Sequence, residues 1–135
     1  MDIEFQDKEG MIKRRYGNED ELSILGFGGI MVDNTEVSEA ERLVGLAIDN
    51  GINLIDTAQA YHPSEERLGK ALKNGYRERC FLATKVIGDY SPAAIRAAMD
   101  ASLRNLDVDY VDLYQIHHPD PAYPFDETIQ LLDRL

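Results

Sequence analysis

Cysteine is nearly absent. The 135-residue chain has one, Cys80, which excludes an internal disulfide framework and any cysteine-rich zinc module. A reducing compartment is the simpler expectation. Basic residues are scarce too, 14 Lys plus Arg against 25 Asp plus Glu, for a formal charge of -11. That balance repels phosphate backbones and anionic lipid faces, so neither nucleic acid nor a membrane surface is an expected partner. No apolar run approaches the roughly 20 residues that a spanning helix needs. Residues 1–10 are acidic where a secretion signal would be basic and then apolar, so they read as a loose extension of a cytoplasmic chain. Sequence repeats and low-complexity tracts are also missing. What remains is an ordinary globular composition, 44% apolar and 29% charged, sized for one modest core in residues 11–135.

Gly17, Asn18 and Asp20 favour a turn between residues 11–16 and 22–25, which predicts an antiparallel hairpin. Residues 25–29 read as a first, irregular strand. Ala40, Leu43, Val44 and Ala47 then keep helical spacing, with a Ser38/Glu41 capping box in front and Gly51 at the C-terminal turn. Residues 52–56, 80–85 and 111–116 are short apolar runs that suit buried strands. Two helices lie between them. One is capped by Ser64 and ended by Asn74-Gly75, and the other opens on Ser91-Pro92 with Ile95, Ala98, Met99 and Leu106 along one face. A proline-rich loop over residues 118–124 leads into a fourth helix over 126–135. Such alternation calls for parallel strands joined by helical crossovers, in either a (β/α) barrel or an open doubly wound sheet.

In both architectures reactive groups collect past the C-terminal ends of the strands. Asp56, with Tyr61 in the loop behind it, Lys85 and His117 stand at three successive ends of that kind. An ion pair between Asp56 and Lys85 is a common structural feature, but it leaves Tyr61 and His117 unexplained. His117-His118 does not read as a metal site, because adjacent strand-end side chains point apart and His62 is the only other histidine. Gly26-Phe27-Gly28-Gly29 has Met31 where a dinucleotide fingerprint needs its third glycine, so it reads as close-packed strand backbone. Cys80 reads as a core residue.

Gly51-Ile52-Asn53-Leu54-Ile55-Asp56-Thr57-Ala58-Gln59-Ala60-Tyr61 followed by Ser64-Glu65-Glu66-Arg67-Leu68-Gly69 resembles a signature of the aldo-keto reductases. Ala83-Thr84-Lys85, residues 102–106 and 108–114, and Gln115-Ile116-His117 match further motifs of that family in order. The resemblance spans residues 11–135. It implies an α/β fold, the N-terminal half of a (β/α)8 TIM barrel with about four parallel strand-helix units behind a β-hairpin. It also implies NADPH-dependent reduction of a small aldehyde or ketone, with Asp56, Tyr61, Lys85 and His117 as catalytic residues and Gly29, Ile30 and Asp56 near the nicotinamide.

The implied roles are chemically coherent. A free phenol, near pKa 10, is a weak acid at neutral pH, and a neighbouring ammonium favours its phenolate form. Asp56 would hold that ammonium, and His117 would donate to the carbonyl oxygen. Two positions depart from the family pattern. His62-Pro63 follows Tyr61 where many relatives have a glycine, and Gly29 stands where many carry a larger residue, so a looser pocket floor is expected. Family members run to about twice this length, in keeping with a whole barrel. Most of the dinucleotide site is therefore expected outside this chain, and the chain alone is expected to be weak or inactive. Two alternatives stand beside the reductase. One is a non-catalytic half barrel that self-associates or pairs with a complementary half through its open strand edges; the other is a lyase with Lys85 as Schiff-base amine. The positions of Tyr61 and Asp56 count against the lyase.

Overall fold

A computed structural model describes residues 10–135; nearly all of the expected N-terminal extension lies outside the described residues. β1 (Lys13–Tyr16) and β2 (Asp20–Ser23) form the antiparallel hairpin, with Lys13 opposite Ser23 and Tyr16 opposite Asp20. Gly17 turns the chain at φ +63°, a left-handed conformation that glycine adopts without a Cβ clash. The turn is tighter than the sequence predicts, because Asp20 and Glu21 already pair with Tyr16 and Arg15.

β3 (Gly26–Gly28), β4 (Leu54–Asp56), β5 (Phe81–Val86) and β6 (Leu113–Ile116) then make one sheet in chain order, every neighbouring pair parallel. Each strand is followed by its helix: α1 (Val37–Asp49), α2 (Ser64–Ala71), α3 (Pro92–Leu106) and α4 (Phe125–Leu132). A doubly wound sheet would reverse its strand order at a switch point. This one does not, and the half-barrel expectation holds.

Helix α1 packs on α2, and α2 on α3. Ile55 of β4 and Leu82 of β5 are buried among Val44, Leu68 and Leu72 on that helical side. Because side chains alternate along a strand, Asp56, Ala83 and Lys85 point to the opposite face. Tyr16 of the hairpin meets Phe81 edge-on at 5.4 Å and covers the N-terminal end of that face.

Several expected boundaries move, each for a local reason. The Ser38/Glu41 capping box does not form, since α1 starts behind Glu36 and Ser38 already lies in its first turn. Gly51 does take φ +93°, as its place after α1 requires. Ser64 does not cap α2 either. It is the first helical residue after Pro63, and its hydroxyl donates to the Gly29 carbonyl at 2.7 Å instead. Helix α2 stops at Ala71, ahead of Asn74 and Gly75, which shape the next turn at φ 59° and 88°. The strand expected from residue 111 begins at Leu113. Asp112 is drawn out of it by its carboxylate, which accepts from the Leu82 N–H at 2.8 Å and from Arg77 at 2.9 Å. Among the described residues, no helix is long and apolar enough to cross a membrane.

Candidate active site

The parallel register lines up the ends of three strands. Asp56 ends β4 opposite Ala83, and Lys85 sits opposite Gln115 of β6. The β4 ladder continues beyond Asp56, with Thr57 N–H on the Ala83 carbonyl at 2.9 Å and Gln59 N–H on the Lys85 carbonyl at 3.2 Å. The chain after Asp56 is thus held along the Lys85 strand until it turns at Tyr61. Lys85 Nζ donates to Asp56 Oδ2 at 2.7 Å and to the Thr57 carbonyl at 2.9 Å. The same ammonium lies 5.5 Å from the centre of the Tyr61 ring. His117 meets the same ring edge-on, with ring centres 5.5 Å apart. The structure therefore gathers Asp56, Tyr61, Lys85 and His117 into one cluster at the C-terminal end of the sheet.

Lys85 is the more enclosed member of the ion pair, its side chain 15% exposed against 41% for Asp56. Two hydrogen bonds tie its amino group to Asp56 and the Thr57 carbonyl. His117 has Nδ1 buried without a hydrogen-bond partner among the described residues. Burial first, then the neighbouring His118 and Lys85, hold its imidazole below the ordinary 6.5, against a weaker opposite pull from Asp56. A histidine held in this way is neutral at pH 7 and offers one N–H.

One expectation about the histidines fails. His117 and His118 do not point apart: their rings lie 4.5 Å apart with an interplanar angle of 33°. The alternation that would separate them ends with β6 at Ile116, one residue too early. Gly29 fails in a different way. It is buried, and a Cβ there would lie 2.6 Å from Thr57 Cβ and 2.8 Å from Ser64 Oγ, so the missing side chain leaves no loose floor. Its space belongs to two hydroxyls.

Those hydroxyls are part of a support that sequence reasoning missed. Thr57 and Ser64 are hydrogen-bonded to each other at 2.8 Å and both are fully buried, closing the ends of the loop that carries Tyr61. At the second residue of α2, the buried Glu65 carboxylate accepts from Thr84 Oγ1 at 2.7 Å and from Asn105 Nδ2 at 3.1 Å. Thr84 immediately precedes Lys85. The signal was a hydroxyl in the middle of an otherwise apolar buried strand, which has to find a partner somewhere. Gln115 was missed as well; its Nε2 donates to Asp56 Oδ1 at 3.0 Å. Tyr114, next to it, points to the helical side, where burial and then Glu65 drive its phenol far above the ordinary range. Cys80 is buried as expected, its thiol pushed up to about 11 by burial. A hollow of about 370 Å³ lined by Tyr90, Ile116, Tyr123 and Phe125 lies on the helical side of β6, apart from the cluster.

The nicotinamide implied by the resemblance can be tested against what these groups leave open. Ile30 is half exposed two residues past the Gly28–Asp56 register pair, and Asp56 keeps much of its carboxylate accessible. An apolar wall and an acceptor at one end of a sheet suit a flat ring that bears an amide. Gly29 can take part only through its backbone. Of the cluster residues only Lys85 is a cation, and it is engaged by Asp56 and Thr57, so the cluster offers phosphates no free positive charge.

Residues 24–135 match the family model described as "Aldo/keto reductase family". The chain is 39% identical over 126 residues to aldo-keto reductase YhdN of Bacillus subtilis (strain 168), covering 84% of this chain and 38% of that protein. It is 36% identical over 115 residues to human aldo-keto reductase family 1 member C2, covering 80% and 35%. Among solved structures, the holo form of aldo-keto reductase AKR11C1 from Bacillus halodurans superposes with a TM-score of 0.84 at 37% identity, over 93% of this chain and 46% of that one. The chain thus spans a little over a third of the length of these curated relatives.

Proposed function

Because the chain belongs to the aldo/keto reductase family, we propose that its strand-end cluster is the catalytic centre of an NADPH-dependent carbonyl reductase acting on small aldehydes or ketones. One observation carries this reading: a single ammonium, Lys85, sits against both the Asp56 carboxylate and the Tyr61 ring, with His117 edge-on to the same ring. Reduction needs a hydride on carbon and a proton on oxygen. When bound, the nicotinamide supplies the hydride, with Ile30, Asp56 and the Gly29 backbone as the residues that would hold it. Tyr61 donates the proton. Lys85 places its ammonium beside the Tyr61 ring, and Asp56 holds it there. A neutral His117 donates its N–H to the carbonyl oxygen, which orients the substrate and stabilises the charge that grows there.

Catalysis by one general acid typically contributes 10²- to 10⁴-fold, so Tyr61→Phe should lower NADPH oxidation with a panel of small aldehydes by at least about 100-fold. Activity unchanged by the substitution would remove the acid role and with it this reading. A second reading draws on the outer edges of β3 and β6, which have no strand partner among the described residues. Open edges template further pairing, with a second copy of the chain or a complementary half as the partner. The solution mass of the same sample separates the two: a monomer removes self-association and leaves the reductase untouched. A cytoplasmic location belongs to the reductase reading and rests on the acidic composition and the lone cysteine.

A further inference from the structure

Gln115 is the only member of the β6 strand whose side chain reaches across β5 to β4 in a hydrogen bond. It stands opposite Lys85 in the register, while Asp56 stands opposite Ala83. Adjacent strands are about 4.8 Å apart, so a β6 side chain must cross roughly 10 Å to meet a β4 side chain. The crossing is possible here for two reasons. Ala83, buried on the same face, leaves the path clear with a single methyl group, and Gln115 is long enough to use it. A carboxylate has two oxygens, and in Asp56 each has its own donor: Oδ2 takes Lys85 Nζ at 2.7 Å and Oδ1 takes Gln115 Nε2 at 3.0 Å.

We propose that Gln115 is a positioning residue of the catalytic centre, acting through Asp56 to keep Oδ2 turned toward the Lys85 ammonium. Asp56 alone is poorly constrained, since its side chain is 41% exposed and a carboxylate turns easily about its last torsion. With only Lys85 as partner, both groups of the pair can move together toward solvent. The Gln115 amide prevents this by fixing one oxygen from the opposite side, and it does so without adding charge to the cluster. An amide is required: a second carboxylate would repel Asp56, and an ammonium would compete with Lys85 for it.

This role rests on the reductase reading for its kinetic consequence but not for its physical one, and a double-mutant cycle keeps the two separate. The variants are Gln115→Leu and Gln115→Asn, the latter a shorter amide that cannot make the crossing, each alone and combined with Asp56→Ala, together with Asp56→Ala alone. In the chain that retains Asp56, Gln115→Leu and Gln115→Asn should each lower kcat about tenfold with KM for the aldehyde little changed. In the Asp56→Ala background the same changes should cost no more than about twofold. An equal loss in both backgrounds, or a loss confined to KM, would overturn the proposal, because Gln115 would then act on substrate or on the fold at large. If the wild-type chain reduces no carbonyl compound, urea unfolding of the wild type, Gln115→Leu, Asp56→Ala and their double variant decides the question. The destabilisation by Gln115→Leu should shrink at least twofold once Asp56 is gone; additive losses would show that the two side chains are not coupled.

Discussion

Asp56 and Tyr61 rest on one part of the molecule and His117 on another, and the two parts are built differently. Behind β4, Ile55 and Leu82 are fully buried with Val32, Val44, Leu68 and Leu106, in a cluster fed by α1, α2 and the end of α3. Behind β6 the buried set is Val86, Tyr90, Ile95 and Leu131, joined by half-buried Tyr114, Ile116 and Tyr123. Residues Leu113 to Ile116 are all only partly buried, whereas five of the six β5 residues are buried. Strand β5 crosses both regions, with Leu82 in the first and Val86 in the second. Lys85 therefore sits at the boundary, its partner Asp56 on the densely packed side and His117 on the thinner one. The Asp56–Tyr61 half of the cluster is held by packing and buried hydroxyls; the His117 half is held mainly by its own strand.

The largest effect that can break this contrast is a core truncation on each side. Leu82→Ala removes a fully buried side chain surrounded by helices, and such a cavity typically costs about 2–5 kcal/mol. Leu131→Ala, in a cluster of only four buried residues, should fall at or below about 2 kcal/mol because its partly buried surroundings can close around the gap. Urea unfolding of both variants measures the difference. Equal losses would mean that the thinner side is packed as tightly as the denser one.

Much of this arrangement was legible in the residues. Apolar runs bounded by Gly51, Asn74-Gly75 and Ser91-Pro92 mark the strands and helices, because burial and chain reversal leave a local signature. Asp56, Tyr61, Lys85 and His117 were legible too, since polar groups at consecutive strand ends are brought together by parallel pairing itself. The supports were not. Ser64 has the residue type and place of a helix cap, yet its hydroxyl goes to Gly29, 35 positions earlier in the chain. Glu65 looks like an acid favoured by the helix dipole, yet it is buried against Thr84 and Asn105. Gln115 looks like any polar residue late in a strand. Each choice depends on which element lies opposite in space, and no local pattern encodes that.

A smaller test sharpens the same contrast on its dense side. Gly29→Ala places a Cβ 2.6 Å from Thr57 Cβ, where neither Thr57 nor Ser64 has exposed space to move into. Overpacking of this kind costs about 1–3 kcal/mol, and here the strain falls on the hydroxyl pair that closes the Tyr61 loop. Unfolding free energy and kcat should fall together. Loss of stability with kcat intact would show that the loop holds Tyr61 without the Thr57–Ser64 pair.

The smallest effect belongs to the thinner side and depends on pH. Burial, with His118 and Lys85 nearby, lowers the His117 imidazole below the value near 6.5 that it has in an unfolded chain. Between those two values the unfolded chain binds the proton and the folded chain does not, so unfolding takes up a proton and stability rises with pH. The contribution is therefore complete above about pH 6.5 and is lost as the pH falls toward the folded-state value. Carboxylates change stability over part of the same range, so the informative quantity is a difference between proteins. Wild type and His117→Gln should be compared at pH 7.5 and pH 5.5, with the wild type losing more stability over that interval. If both lose the same amount, the folded chain accepts the proton on His117 as readily as the unfolded chain does. The thin packing behind β6 would then fail to keep water from the imidazole, and His117 would be a mixture of charged and neutral forms near neutral pH.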